Sequence, residues 1–285
     1  MQDTPQINAS NAGTLTFGEG LRVHRMGFGA MRLCGPGIWG LPQNPEQSAS
    51  VLRRAVELGI NFIDTAESYG PESNEEQICQ ALFPYPADLV IATKGGPTRQ
   101  GPELWGLDCR PERLKAFCEG SIRRLRVEAI DLYYLHNVDP NVPFEDQVGA
   151  LADLRRDGKI RNVGLSNVSL AQLKRAQGIC PIASVQNEYN AHIRVNDNLV
   201  DYCEENQIAF MPFRPLGGGE LGGHPSLHAI AKEKRASVFQ VALAWLLRRS
   251  PIMVPIPGSD LVSHVEENIA AASLHITDSE FRSMT

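Results

Sequence analysis

From residue 25 onward, short apolar or β-branched runs alternate with longer stretches whose apolar positions recur at helical spacing. The short runs fall at 25–29, 61–64, 89–93, 130–135, 160–165, 182–186, 208–212 and 252–256, and each predicts a strand. Between residues 48 and 58, Val51, Leu52, Ala55, Val56 and Leu58 mark one helix face, and Gly59 stands where a helix would stop. Leu114, Phe117, Ile122 and Leu125 repeat the pattern after Pro111, a residue suited to a helix first turn. Leu151 and Leu154 precede Asp157-Gly158, and Val238, Val241, Ala242, Trp245 and Leu246 outline the most apolar helix.

Strands this apolar need cover on both faces, which alternating helices provide in an all-parallel α/β sheet. Eight such units predict a closed (β/α)8 (TIM) barrel. The competing architecture is an open doubly wound sheet. Against it, Gly27-Phe28-Gly29-Ala30-Met31-Arg32 lacks the third glycine of a dinucleotide turn and no helical pattern follows. Upstream, residues 14–17 and 21–23 flank Gly18-Glu19-Gly20, a short N-terminal β-hairpin. The expected organisation is a polar tail over 1–13 and one barrel domain over 14–285.

Composition narrows the function. A formal net charge of -6 advertises no basic face, which argues against nucleic acid and acidic membranes as partners. No run of about eighteen apolar residues predicts a transmembrane helix, and residues 1–6 show no signal-peptide pattern. Cys34, Cys79, Cys109, Cys118, Cys180 and Cys203 form no C-x-x-C pair, so reduced thiols and a cytoplasmic location are expected. No metal is expected either. His224 and His228 stand four apart, but Gly222, Gly223 and Pro225 around them argue for a loop.

Barrel chemistry collects at the carboxyl ends of the strands. Reading those ends in order gives Asp64 with Tyr69 in its loop, then Lys94, His136, Ser166-Asn167 and Gln186. The last two strands are followed by Phe213-Arg214-Pro215-Leu216-Gly217 and by Gly258-Ser259. Each residue alone has a structural explanation: a helix cap, a packed ring, a solvated charge, a hydrogen-bonded histidine. Convergence on one mouth calls for a shared one. A phenol with an ordinary pKa near 10 is a reluctant acid at neutral pH, and a nearby ammonium would stabilise its phenolate. An aspartate would hold that ammonium, and a neutral histidine could orient the same carbonyl oxygen. Tyr–Lys–Asp–His is thus a proton-delivery set aimed at an oxygen becoming an alkoxide.

These residues resemble the aldo-keto reductases. The matching blocks are Gly27-Phe28-Gly29-Ala30-Met31, the run from Asn61 through Asp64 to Tyr69-Gly70, Ile91-Ala92-Thr93-Lys94 and Tyr134-Leu135-His136. Gly164-Leu165-Ser166-Asn167, Gln186-Asn187-Glu188-Tyr189-Asn190 and Ile256-Pro257-Gly258-Ser259 complete them, in order, over residues 14 to 280. Pro36-Gly37-Ile38-Trp39-Gly40 and the helix around Trp245 are similar to the bacterial branch that includes pyridoxal reductase. The resemblance implies NAD(P)H-dependent reduction of small aldehydes or ketones, pyridoxal among them. Tyr69 would be the general acid, Lys94 and Asp64 its tuning pair, and His136 the orienting partner.

For the cofactor, the resemblance implies that Ser166, Asn167 and Gln186 hold the nicotinamide carboxamide, with Phe213 stacked on the ring, and that Ala30, Met31, Asp64 and Ile256 also contact the cofactor. Arg214, Pro215, Leu216 and Gly217 would line the pyrophosphate. Gly258, Ser259, Glu267 and Asn268 would hold the adenosine end, where Ser259 and His264 could bind a 2′-phosphate. Met31, Trp39 and Trp105 are the expected walls of the substrate pocket. Three features depart from the family pattern. Asp260 puts an anion where Lys or Arg often meets the 2′-phosphate, so NADPH is expected with NADH as the alternative. Arg214 occupies a position usually given to Ser or Phe, and the short carboxyl end should leave the mouth open. A monomer or weak oligomer is expected. Rival readings are a nicotinamide-binding regulatory subunit with little turnover and a metal-dependent barrel hydrolase or lyase.

Overall fold

The computed structural model describes residues 7–219 and 225–284. The N-terminal hairpin is present as β1 (Thr14–Phe17) and β2 (Leu21–His24). Then come β3 (Phe28–Gly29), β4 (Phe62–Asp64), β5 (Val90–Gly95), β6 (Pro97–Gly101), β7 (Leu104–Leu107), β8 (Ile130–Leu135), β9 (Ile160–Ser166), β10 (Ser184–Gln186) and β11 (Ala209–Phe210). The helices are α1 (Pro45–Glu57), α2 (Ser73–Leu82), α3 (Pro111–Leu125), α4 (Phe144–Arg156), α5 (Leu170–Gln177), α6 (Asp197–Glu205), α7 (Pro225–Lys234), α8 (Val238–Arg249), α9 (Val262–Ala270) and α10 (Asp278–Met284).

The parallel sheet runs β11-β10-β9-β8-β5-β4-β3. Its closure into a (β/α)8 barrel depends on residues 252–257, of which 252–256 were expected from sequence as an eighth strand. Phe210 N donates to Ile252 O and Val254 N donates back to Phe210 O, both at 2.9 Å. On the other side Gly27 N donates to Pro255 O at 3.0 Å and Gly29 N to Pro257 O at 3.3 Å. Pro255 and Pro257 have no N–H to return, so half of the ladder toward β3 cannot form. The segment closes the barrel without becoming a regular strand, and β3 is correspondingly shorter than the run 25–29.

Two apolar layers result. Phe62, Val90, Ala92, Leu132, Tyr134, Met211 and Val254 fill the barrel interior, and Phe17, Leu21 and Val23 of the hairpin pack with them. Gly164 makes room inside: a Cβ there would lie 2.4 Å from the Tyr134 ring. The Tyr134 hydroxyl meets Ser184 Oγ at 2.7 Å, so a polar ring is satisfied within this core. The helices cover the outside through a second cluster centred on residues such as Leu52, Leu151 and Trp245.

Two stretches differ from the sequence expectation. Residues 9–12 of the expected tail form a 3-10 turn capped by Asn8, with Ala9 buried and its N–H donated to Leu58 O at 2.8 Å. Residues 97–107, where no strand was expected, form the antiparallel hairpin β6–β7. That hairpin stands beside the mouth of the barrel.

Candidate active site

β4 ends in Asp64, β5 carries Lys94, and His136 follows β8, so adjacent parallel strands deliver three polar side chains to one end of the barrel. Lys94 is fully buried. Its ammonium donates to Asp64 Oδ1 at 2.6 Å and to the Thr65 carbonyl at 2.8 Å. The second Asp64 oxygen accepts from Gln186 Nε2 at 2.8 Å, which ties in the end of β10. Tyr69 lies over this pair, with the Lys94 nitrogen 5.3 Å from its ring centroid. Its ring meets that of His136 edge to face, 5.8 Å between centroids.

Burial sets the protonation states. It pushes the Tyr69 phenol well above its ordinary value, and the Asp64 charge adds to the push. Lys94 was expected to draw the phenol downward. Its ammonium is instead committed to Asp64 and Thr65, and the upward effects win, so Tyr69 stands as a neutral acid. Burial lowers the Lys94 ammonium, and Asp64 opposes that shift. His136 is held well below 6.5, first by burial and then by the Lys94 charge, so its imidazole is neutral. Its Nδ1 is buried and has no hydrogen-bond partner.

α2 seals the back of this set. Thr65 Oγ1 donates to Asn74 Oδ1 at 2.7 Å, and Asn74 Nδ2 donates to Ala30 O at 3.0 Å. Thr93 Oγ1 donates to Glu75 Oε1 at 2.5 Å, while Arg124 Nε donates to the other Glu75 oxygen at 2.7 Å. Glu67 lies close by and is pushed up to about 7, chiefly by burial, with Arg124 opposing and Glu75 and Glu72 reinforcing. Because the ordinary value is 4.5, the folded chain holds a proton at Glu67 between about pH 4.5 and 7 that the unfolded chain releases. Stability should therefore fall as pH rises through that window. Urea titrations of Glu67→Gln at about pH 5 and about pH 8 check this: the variant gains on the wild type toward high pH, and an unchanging difference contradicts it.

The cleft above Tyr69 encloses about 660 Å³. Met31, Asp64, Tyr69, His136, Ser166, Asn167 and Gln186 line its inner end, and Phe213, Arg214, Pro215 and Leu216 one flank. Ile256, Gly258, Ser259, His264, Glu267 and Asn268 line the far end. Three expected residues stand elsewhere. Ala30 is fully buried behind Met31, its carbonyl used by Asn74. Gly217 lies outside the wall, between Leu216 and Gly218 that form it. Trp39 is not on the cleft wall: its backbone bridges Gly70, the Arg99 guanidinium lies 5.6 Å from its ring, and Ile38 takes the wall position.

Trp105 of β7 does reach the mouth, where Arg99 stacks on it at 3.8 Å. Arg99 donates to the carbonyls of Ile38 at 2.9 Å, Ser68 at 3.2 Å and Gly37 at 2.8 Å, fastening the hairpin to the loop before Tyr69. The turn-forming dipeptide Gly101-Pro102 is the one local signal that could have marked this hairpin. Arg32 and Phe239 also line the cleft unannounced, and Phe239 had no local signal.

A dinucleotide fits this enclosure. The cleft runs from the buried acid set to a far wall that combines Gly258 and Ser259 with the polar side chains of His264, Glu267 and Asn268. Its flank includes Gly218 and Gly219, whose missing side chains leave backbone open to a phosphate. Among the described residues no group of three His, Cys, Asp or Glu is placed to hold a metal, and His224 lies outside them. None of the described helices is long and apolar enough to cross a membrane.

Comparison with known proteins agrees with the geometry. The sequence profile of the Aldo/keto reductase family matches residues 25–285. The chain is 46% identical over 276 residues to an uncharacterized oxidoreductase of Schizosaccharomyces pombe, spanning 96% of this chain and 90% of that one. It is 38% identical over 274 residues to the pyridoxine 4-dehydrogenase of Escherichia coli, spanning 94% and 96%. A crystal structure of an aldo-keto reductase from Klebsiella pneumoniae in complex with NADPH superposes with a TM-score of 0.80 at 27% identity, covering 95% of this chain and 93% of that one.

Proposed function

The chain belongs to the aldo/keto reductase family and is an oxidoreductase of carbonyl compounds, and we propose from that premise that Tyr69 protonates the carbonyl oxygen of a small aldehyde or ketone, with NADPH as reductant. NADPH, when bound, supplies the hydride that adds to the carbonyl carbon. The observation that carries the reading is the buried Asp64–Lys94 pair at 2.6 Å, placed under a phenol that opens onto the same cleft as a neutral imidazole. Such a pair is costly to bury.

Tyr69 holds its proton until negative charge develops on the substrate oxygen. The ammonium below then stabilises the phenolate that remains. His136, neutral and with an orphaned Nδ1, orients the same oxygen through its other ring nitrogen. Ser166, Asn167 and Gln186 hold the nicotinamide carboxamide, and Gln186 keeps its oxygen for that contact because its amide nitrogen is given to Asp64. Phe213 supplies a flat face for the ring. Met31, Ile38 and Trp105 make an apolar wall suited to a flat, uncharged carbonyl compound. Pyridoxal fits that description, and the likeness to the pyridoxine 4-dehydrogenase supports it. The enzyme works as a cytoplasmic monomer or weak oligomer, in keeping with six free cysteines.

The test is a fluorescence titration with NADPH and NADH followed by turnover measurements on a panel of aldehydes that includes pyridoxal. NADPH-dependent reduction of at least one small aldehyde is expected. Tight nucleotide retention with negligible turnover across the panel would instead support a regulatory subunit.

A further inference from the structure

The loop that approaches the adenosine end of the cleft is short of positive charge. Residues 258–270 contain no Lys or Arg, and they include Asp260, Glu266 and Glu267. Glu266 is paired with Arg54 at 2.8 Å. His264 meets Ser259 Oγ at 3.2 Å. A phosphomonoester arriving here would carry close to two negative charges at neutral pH and would find no permanent cation on this loop.

Arg32 comes to the same place from another element. It belongs to the 3-10 turn Ala30–Leu33 that follows β3. Barrel closure presses that turn against the loop: a Cβ on Gly258 would lie 2.3 Å from Gly29 O and 3.7 Å from Arg32 Cγ. The cleft and an adjoining cavity of about 620 Å³ share Arg32, Gly258, Ser259 and His264 on their walls. Asp260 lines only the adjoining cavity. Arg32 has no hydrogen bond from its guanidinium and no carboxylate within ion-pair distance among the described residues. The other arginine on the cleft wall, Arg214, lies 3.4 Å from Glu188. A cation left unpaired beside a hydroxyl and an imidazole is a receptor for a dianion.

We propose that Arg32 is the residue that distinguishes the phosphorylated from the unphosphorylated cofactor, gripping the phosphomonoester on the adenosine ribose of NADPH together with Ser259 and His264. The inference rests on the proposed reading of the cleft as an NADPH site. A guanidinium can present two parallel N–H donors to such a group, which an ammonium cannot. The specificity is thus set by a residue some 230 positions upstream of the loop it completes, brought there by the contact between Gly29 and Gly258.

Binding constants decide the matter without reference to turnover. NADPH and NADH are titrated into the wild type, Arg32→Ala and Arg32→Lys, with thermal unfolding as a control for folding. The expected result is NADPH binding weakened about 10- to 100-fold in Arg32→Ala, partial recovery in Arg32→Lys, and NADH binding unchanged. Equal losses for the two nucleotides would place Arg32 on the shared pyrophosphate and overturn the proposal, as would no loss for either. A wild type that binds neither nucleotide overturns the reading of the cleft itself, an outcome distinct from either result with the variants.

Discussion

Replacing Tyr69 with phenylalanine should lower the rate of carbonyl reduction by about 10²- to 10⁴-fold, the usual worth of a positioned general acid. Affinity for NADPH and thermal stability should change little. The reason lies in how little the hydroxyl does apart from chemistry. The phenol makes no hydrogen bond to any described residue, so its removal leaves no partner stranded. The ring, which packs edge to face against His136, is retained. Steady-state kinetics, a nucleotide titration and a melting curve on the same preparation separate these effects. Turnover within about tenfold of wild type would remove Tyr69 from the proton-transfer step. A fall in melting temperature accompanying the loss would recast the residue as a packing element.

The direction of the Tyr69 shift sharpens what its neighbours do. Burial and Asp64 both favour the neutral phenol, so the site does not store a phenolate in advance. It keeps the proton at hand, and the Lys94 charge matters at the moment the proton leaves. Sequence patterning could place these groups because Asp64 and Lys94 close their apolar runs and His136 directly follows one. It could not reveal the sign of the shift, which depends on Lys94 being spent on Asp64 and on the Thr65 carbonyl.

The same division holds across the fold. Strand β8 was legible from an apolar run interrupted only by Asp131, and α1 from its helical periodicity and the glycine after it. The segment 252–257 carries the same apolar signature, yet Pro255 and Pro257 deny it a full ladder, a consequence visible only once its neighbours are known. Hairpin β6–β7 has no period-two pattern because Arg99 and Trp105 stack on one another instead of facing a core. Arg32 and Phe239 reach the cleft by tertiary contact, and no spacing along the chain encodes that. Trp39 illustrates the converse: an aromatic in the right stretch that is not on the cleft wall, which Ile38 lines instead.

The second large effect concerns Lys94. Lys94→Met should reduce turnover on the scale of Tyr69→Phe and, unlike it, destabilise the protein by about 3–5 kcal/mol. The ammonium is wholly buried and its partner Asp64 nearly so, and removing it leaves a carboxylate held, among the described residues, only by Gln186 Nε2. Adding Asp64→Asn removes the stranded charge, and the double variant should recover most of the lost stability at neutral pH. Its turnover should stay low, because no cation remains to stabilise the phenolate. Urea unfolding of wild type, both single variants and the double variant forms a complete cycle. A double variant as unstable as Lys94→Met would show that the cost came from packing, whereas recovery of stability without activity would show that this buried pair is kept for its chemistry.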